Sequence, residues 1–182
     1  MIKFEKVSFE QYYQARWHNT SDGILSPSYM TKEALREEYD AIKLPQRSTD
    51  GSAGYDFYSP VSFNLIGTHS DKAEEHRIHY ELLPTGIRFV TDNKDVFLMC
   101  VPRSGNGFKY GFALANTCGV IDSDYQYSDN EGHIMAKIYS EKDMAIEQGK
   151  AFMQGIILPY YKVDDDNSSG VRNGGFGSTD AK

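Results

Sequence analysis

From about residue 41 onward the chain is a succession of short apolar runs, each closed off by Gly, Pro, Asn or Asp. Ile87-Arg88-Phe89-Val90, Val96-Phe97-Leu98-Met99-Cys100-Val101 and Ile156-Ile157-Leu158 are dominated by β-branched, aliphatic and aromatic residues, the composition of a strand. Many short strands at regular spacing predict an all-β core, a barrel or jelly roll over residues 41–163. Residues 1–40 follow a different rhythm. Ser8 and Gln11 offer a capping box ahead of Phe9, Tyr13 and Trp17 at i, i+4 and i+8. A second helix is expected from Thr31, with Glu33 in its first turn and Ala34, Leu35, Glu38 and Tyr39 following, ending before Lys43-Leu44-Pro45. Both stripes read as packing surfaces of a helical N-terminal extension. Asp164-Asp165-Asp166-Asn167-Ser168-Ser169-Gly170 reads as a solvated linker, which leaves residues 164–182 as a flexible C-terminal arm.

With 182 residues the chain is expected to form a single core. A formal net charge of -7 argues against nucleic acid as a partner, because such proteins present basic faces. Any anionic ligand must then be bound locally. Cys100 and Cys118 sit among apolar residues and read as buried, reduced thiols, which points to a cytoplasmic protein. There is no basic-then-apolar leader pattern and no apolar run near the ~20 residues of a membrane span, so no membrane association is expected. His76 and His79 fit no standard metal spacing, and a solvated loop or strand face accounts for them.

Five segments could carry chemistry. In Ala53-Gly54-Tyr55-Asp56 the glycine can serve a bulge and the aspartate a turn, or the carboxylate can face a charged site. Pro102-Arg103-Ser104-Gly105 is either a hairpin turn or a phosphate cradle of guanidinium, hydroxyl and exposed N–H groups. Asp122, directly after Gly119-Val120-Ile121, is either a turn residue or a carboxylate placed to accept a proton from water. Gln154 is a lone amide in an apolar strand, either satisfied within the core or contacting a ligand. Arg172-Asn173-Gly174-Gly175-Phe176-Gly177-Ser178-Thr179 combines a guanidinium, glycines that let N–H groups approach an anion, two hydroxyls and one stacking ring. It reads as a mobile phosphate clamp. It is not a Walker A loop, which requires a Lys before the Ser/Thr.

In this order and spacing the segments resemble the five motifs of the trimeric dUTP pyrophosphatases (dUTPases), over about residues 41 to 182. The resemblance implies a homotrimer of jelly-roll-like β-barrels hydrolysing dUTP to dUMP and pyrophosphate, each site shared among chains. Asp122 would be the base that activates water against the α-phosphorus. Mg2+, held mainly by the triphosphate and water with no direct protein ligand, would neutralise charge. Arg103, Ser104, Gly105 and Gln154 would bind phosphates, and Arg172, Gly177, Ser178 and Thr179 would close on the γ-phosphate. The resemblance further implies a β-hairpin, Asn116 through Tyr125 with a return strand near Ile134-Met135, that pairs with uracil using Asn116, Gly119, Ile121 and Met135. Tyr125 would pack on the deoxyribose and Phe176 on the base, while Asp56 would have a structural or electrostatic role. Three departures accompany this likeness. Gly132 follows Tyr125 by seven positions rather than two, Lys150 stands where the family usually has Arg, and residues 1–40 have no counterpart. An added regulatory protein partner is the alternative these unassigned surfaces suggest.

Overall fold

Ten strands dominate the computed structural model, which describes residues 1–18, 31–71, 78–170 and Arg172. In chain order they are β1 (Ile2–Lys6), β2 (Gly54–Tyr58), β3 (Phe63–Leu65), β4 (Glu81–Thr91), β5 (Val96–Pro102), β6 (Ala113–Leu114), β7 (Gly119–Ile121), β8 (His133–Tyr139), β9 (Met144–Ile146) and β10 (Ala151–Pro159). They pair antiparallel into a four-stranded sheet ordered β1-β4-β8-β6, a second ordered β2-β10-β5-β7, and a β3-β9 pair. One hydrophobic core receives side chains from all three, among them Leu83, Phe89, Leu98, Ile138, Phe152 and Ile146. The strand runs expected from composition are therefore strands, at 87–90 in β4, 96–101 in β5 and 156–158 in β10.

A proline inside β4 would deny a ladder its N–H, and the sheet accommodates it with an irregularity. Pro84 pairs with Met135, the register then shifts before Arg88 meets His133, and Gly86 takes φ +73° between them. Thr85 Oγ donates to the Ile134 carbonyl at 2.6 Å and accepts from the Ile87 N–H at 3.1 Å. The Gly86 N–H donates to His133 Nε2 at 2.8 Å. A Cβ on Gly86 would stand 2.3 Å from Ile42 Cδ1, so the close approach requires glycine as much as the φ does.

Residues before 40 are built into this framework. β1 pairs with β4 along its whole length, from Ile2 opposite Thr91 to Lys6 opposite Ile87, a strand where only helix was expected. Helix α1 (Phe9–His18) starts as the capping pattern predicts, with Ser8 Oγ accepting from the Gln11 N–H at 3.1 Å. Helix α2 (Lys32–Asp40) is capped by Thr31, which accepts from the Ala34 N–H at 3.2 Å. The buried face of α1 differs from the expected one. Tyr12, Ala15 and Arg16 are buried, whereas Phe9 and Tyr13 are half-buried and Trp17 is 48% exposed. The reason is Glu38 on α2, which accepts from Arg16 Nε at 2.7 Å and from the Tyr12 hydroxyl, so a buried charge finds its partner there. Cys100 is buried and burial pushes its thiol up to about 12; Cys118, expected to be buried, is only half-covered, and both are free. Among the described residues no helix is long and apolar enough to cross a membrane.

Candidate active site

Strand β5 ends at Pro102, and the chain turns there into a helix rather than a hairpin, α3 (Ser104–Tyr110). Ser104 and Gly105 open that helix, so their N–H groups have no intrahelical acceptor. Arg103, at the cap position, turns back onto β2, where its Nε lies 2.9 Å from Asp56 Oδ1. The other oxygen of Asp56 accepts from Ser48 Oγ at 2.9 Å. Gln154 faces the same corner: it is the register partner of Asp56 on β2 and of Val101 on β5, and its Nε2 donates to the Pro102 carbonyl at 3.3 Å. Asn106 closes the corner from α3 by donating to the Phe152 carbonyl at 3.2 Å. Asp56, Arg103, Ser104, Gly105 and Gln154 thus converge in one cluster, with Ser48 and Asn106 added to it. Neither addition carried a sequence signal, since each is an ordinary polar residue outside the chemical motifs.

A second cluster lies across the molecule. Asn116, Gly119, Ile121, Tyr125, Met135 and Arg172 line a cavity of about 160 Å³, together with Val120 and Ile134. Drug-sized pockets span roughly 300–1,000 Å³, so this one has room for a single ring and not for a whole nucleotide. Its two long walls are β7 and β8. The expected hairpin between them is not formed: β7 pairs with β5, Leu98 opposite Ile121, while β8 pairs with β4 and β6. A 3-10 turn, Tyr125–Tyr127, joins the walls instead, and the cavity occupies the space where a ladder would run. β6 reaches β8 only as far as Lys137, whose carbonyl accepts from the Ala115 N–H, so Met135 keeps an open backbone edge toward the cavity, while the Ile134 carbonyl is turned to Thr85 on β4. At the mouth, Thr117 is held at φ 67°, an outlier for a β-branched residue, directly after Asn116.

Asp122 follows β7 at the rim. Its Oδ2 accepts from Arg172 Nη1 at 2.6 Å, and Asp124 Oδ1 accepts from the same nitrogen at 2.9 Å. Burial alone would lower the Arg172 pKa, but hydrogen bonds and charge from Asp122 and Asp124 outweigh it and raise the value. The Arg172 guanidinium also sits 5.3 Å from the centre of the Tyr125 ring. Tyr125 is only 7% exposed, and burial pushes its phenol up against the opposing influence of Asn130 and Arg172. Asp124 was not singled out in the sequence, although its place two residues after Asp122 was a usable signal. Phe176, Gly177, Ser178 and Thr179, expected to complete the site, lie outside the described residues, as does His76.

The two clusters do not meet within one chain. Ile121 is opposite Leu98, which places Asp122 level with Phe97, near the start of β5 and six residues before Arg103, which follows its end. At about 3.3 Å per residue that is about 20 Å, beyond the reach of the two side chains, and Arg103 is already turned onto Asp56.

The mostly-β framework thus offers a single-ring cavity beside a carboxylate and, apart from it, a corner of guanidinium, hydroxyl and amide. The dUTPase family model matches residues 40–180, and the chain belongs to that family. It is 34% identical over 145 residues to the deoxyuridine 5'-triphosphate nucleotidohydrolase of Lactococcus lactis subsp. lactis, spanning 77% of this chain and 89% of that one. The crystal structure of dUTPase from Streptococcus mutans is similar with a TM-score of 0.55 at 30% identity, covering 69% of this chain and 91% of that chain. A mutant dUTPase from phage phi11 of S. aureus, whose structure reveals coordination of a structural Mg(II) ion, shares the fold at 15% identity with a TM-score of 0.55, covering 72% and 92%.

Proposed function

We propose that the chain is a dUTP diphosphatase that hydrolyses dUTP to dUMP and pyrophosphate at sites shared between the subunits of a homotrimer. The observation that carries this reading is the separation of the two clusters along β5. A ring pocket with its carboxylate at one end and a phosphate corner at the other can act on one substrate only when different copies of the chain supply them. Residues 41–163 would form the jelly-roll-like barrel of each subunit and 164–182 an arm closing over a site, in a cytoplasmic enzyme working on free nucleotides. The relatives' names favour hydrolysis over a regulatory role in its place.

In this reading uracil enters the cavity between β7 and β8 and meets the open backbone edge at Met135. A pyrimidine presenting the opposite donor pattern would leave those groups unpaired, a mismatch worth roughly 10⁴-fold. Tyr125 packs on the deoxyribose and leaves no room for a 2′-hydroxyl. Asp122 takes a proton from the water whose oxygen bonds to the α-phosphorus; the bond to the bridging oxygen breaks and pyrophosphate leaves. Arg103, the Ser104 hydroxyl, the Gly105 N–H and Gln154 hold the chain of phosphates, and Asp56 keeps Arg103 oriented. Arg172 would exchange Asp122 and Asp124 for the γ-phosphate, with Gly177, Ser178 and Thr179 beside it and Phe176 over the base. Mg2+ would be held mainly by the triphosphate and water and would neutralise charge on the phosphates as the substrate binds.

Pyrophosphate release measured against dUTP, dCTP, dTTP and UTP, with and without magnesium, tests the assignment. Turnover of dUTP alone, dependent on magnesium, is expected; equal turnover of UTP or dCTP would overturn it.

A further inference from the structure

Two stretches play no part in the site as read so far, the N-terminal segment and the lengthened return between Tyr125 and His133. The structure joins them. The Glu131 carboxylate accepts from the Ser8 N–H at 2.7 Å and from the Ser8 hydroxyl at 2.6 Å, and Ser8 is the residue that caps α1. Glu131 itself sits at φ 60°, a left-handed conformation that is strained for a non-glycine residue and persists only where its surroundings hold it. The two bonds from Ser8 hold its side chain, and its own N–H donates to the Ser128 carbonyl at 2.8 Å.

One residue earlier, Asn130 is a hub. Its Oδ1 accepts from Ser128 Oγ at 2.9 Å and from the Gly132 N–H at 3.1 Å, and its Nδ2 donates to the Tyr125 hydroxyl at 2.8 Å. That hydroxyl in turn donates to the His133 carbonyl at 3.2 Å. The return is not a solvated insertion, because Gln126, Ser128 and Gly132 within it are buried, and Gln126 Nε2 donates to the Thr91 and Ser123 carbonyls. A line of contacts therefore runs from the cap of α1 through Glu131 and Asn130 to the phenol in the cavity wall.

We propose that Asn130 and Glu131 are positioning residues for Tyr125, through which the N-terminal segment sets the wall of the nucleoside pocket. This rests on the reading of Tyr125 as the residue against the sugar. Asn130 fixes the height of the phenol over the cavity, and the Glu131–Ser8 clasp fixes Asn130. Loosening either lets the ring retreat, so that deoxyribose is held less firmly and a 2′-hydroxyl is excluded less strictly. The step lost is binding rather than chemistry, because the hydrogen bonds of Asn130 and Glu131 go to Tyr125, Ser128, Gly132, His133 and Ser8 and not to Asp122.

The test is steady-state kinetics of the full-length protein on dUTP and UTP, with melting curves alongside, for Asn130→Ala, Tyr125→Phe, their double variant, Glu131→Gln, Ser8→Ala and Tyr125→Ala. Asn130→Ala should raise the KM for dUTP about fivefold to tenfold and narrow the preference over UTP, with kcat changed by less than about twofold. Tyr125→Phe breaks the same bond, so the double variant should be no worse than the poorer single one. Glu131→Gln, a near-isosteric change, and Ser8→Ala should each act in the same direction by about threefold, without adding to one another. A loop with only a structural role would lower the melting temperature and leave the dUTP-to-UTP ratio unmoved. That result, or additive losses in the double variant, overturns the proposal while Tyr125→Ala still shifts the ratio. If Tyr125→Ala leaves the ratio unchanged, the sugar reading itself fails and the proposal falls with it.

Discussion

The corner around Asp56 and one wall of the pocket beside Asp122 belong to the same sheet, yet different forces shape the two regions. The corner is held by strand register: β2, β10 and β5 are consecutive in the ladder, and Asp56, Gln154 and Val101 fall opposite one another within it. A single ion pair, Arg103 with Asp56, then aims the guanidinium. The pocket is held by side chains. Its walls β7 and β8 belong to different sheets, and a buried network of Tyr125, Asn130, Ser128 and His133 keeps them apart. Ladders tolerate surface change, whereas a buried polar network loses most of its worth when one member goes.

The separation of the two regions predicts the largest effect. Asp122→Asn should lower kcat by roughly 10²–10⁴-fold with binding largely spared, and Ser104→Ala should lower it by weakening phosphate placement. Neither variant alone regains activity. Unfolded together and refolded as a mixture, they should recover up to about a quarter of the wild-type sites, because each intact site draws Asp122 from one chain and Ser104 from another. A mixture no more active than its components would place both residues of a site in one chain and break the comparison.

Part of the corner was legible in the sequence because register follows from alternation, and the strand runs and Gln154 fall where the pattern puts them; Gly54 and Asp56 do not form the bulge and turn that their residue types suggest, because both are regular ladder positions of β2 opposite β10. Asp122 was legible for a similar reason, as the first polar residue after β7. The pocket was less so. The hairpin expected there presumes that neighbouring strands pair, but β7 finds its partner in β5, and nothing local announces that choice. The long return after Tyr125 read only as a departure, since its order comes from Ser8, 123 residues from Glu131 in the chain. β1 was missed for the same cause: five residues whose partner is β4, far away in sequence, carry little signal of their own. The Arg16–Glu38 pair shows the limit from the other side, because a charge matched only in space looks like a solvated one in sequence.

Acid should act on the pocket through His133, the next largest effect. The ring is fully buried and its Nε2 accepts from the Gly86 N–H, so it is neutral with its proton on Nδ1. Burial lowers its pKa from 6.5 to about 4, against an opposing pull from Glu131. Between those values the unfolded chain binds a proton that the folded chain refuses, so stability present above pH 6.5 is lost as the pH falls toward 4. From pH 6.5 to about pH 5 the loss is about 2 kcal/mol. Urea unfolding at fixed protein concentration should show this slope, and His133→Gln, which keeps an acceptor for Gly86 without titrating, should be less stable at neutral pH but flatter by that amount. An unchanged slope in the variant would assign the acid sensitivity elsewhere.

The smallest expected effect probes the corner. A Cβ on Gly54 would stand 2.3 Å from Gln154 Oε1, a contact that a real side chain does not make, and a tight 3.1 Å from its Cδ. The obstacle is the end of a flexible side chain rather than backbone, so Gly54→Ala should fold, with Gln154 turned away at a cost of about 1 kcal/mol. Register would keep the strands in place, and only the amide would be lost from the phosphates. The expected outcome is a KM for dUTP raised about tenfold with the melting temperature nearly unchanged, and Gln154→Ala should add little to it because both remove the same contact. Should Gly54→Ala instead unfold the protein as readily as it impairs binding, the corner would depend on packing in the way the pocket does, and the distinction between ladder and network would not hold.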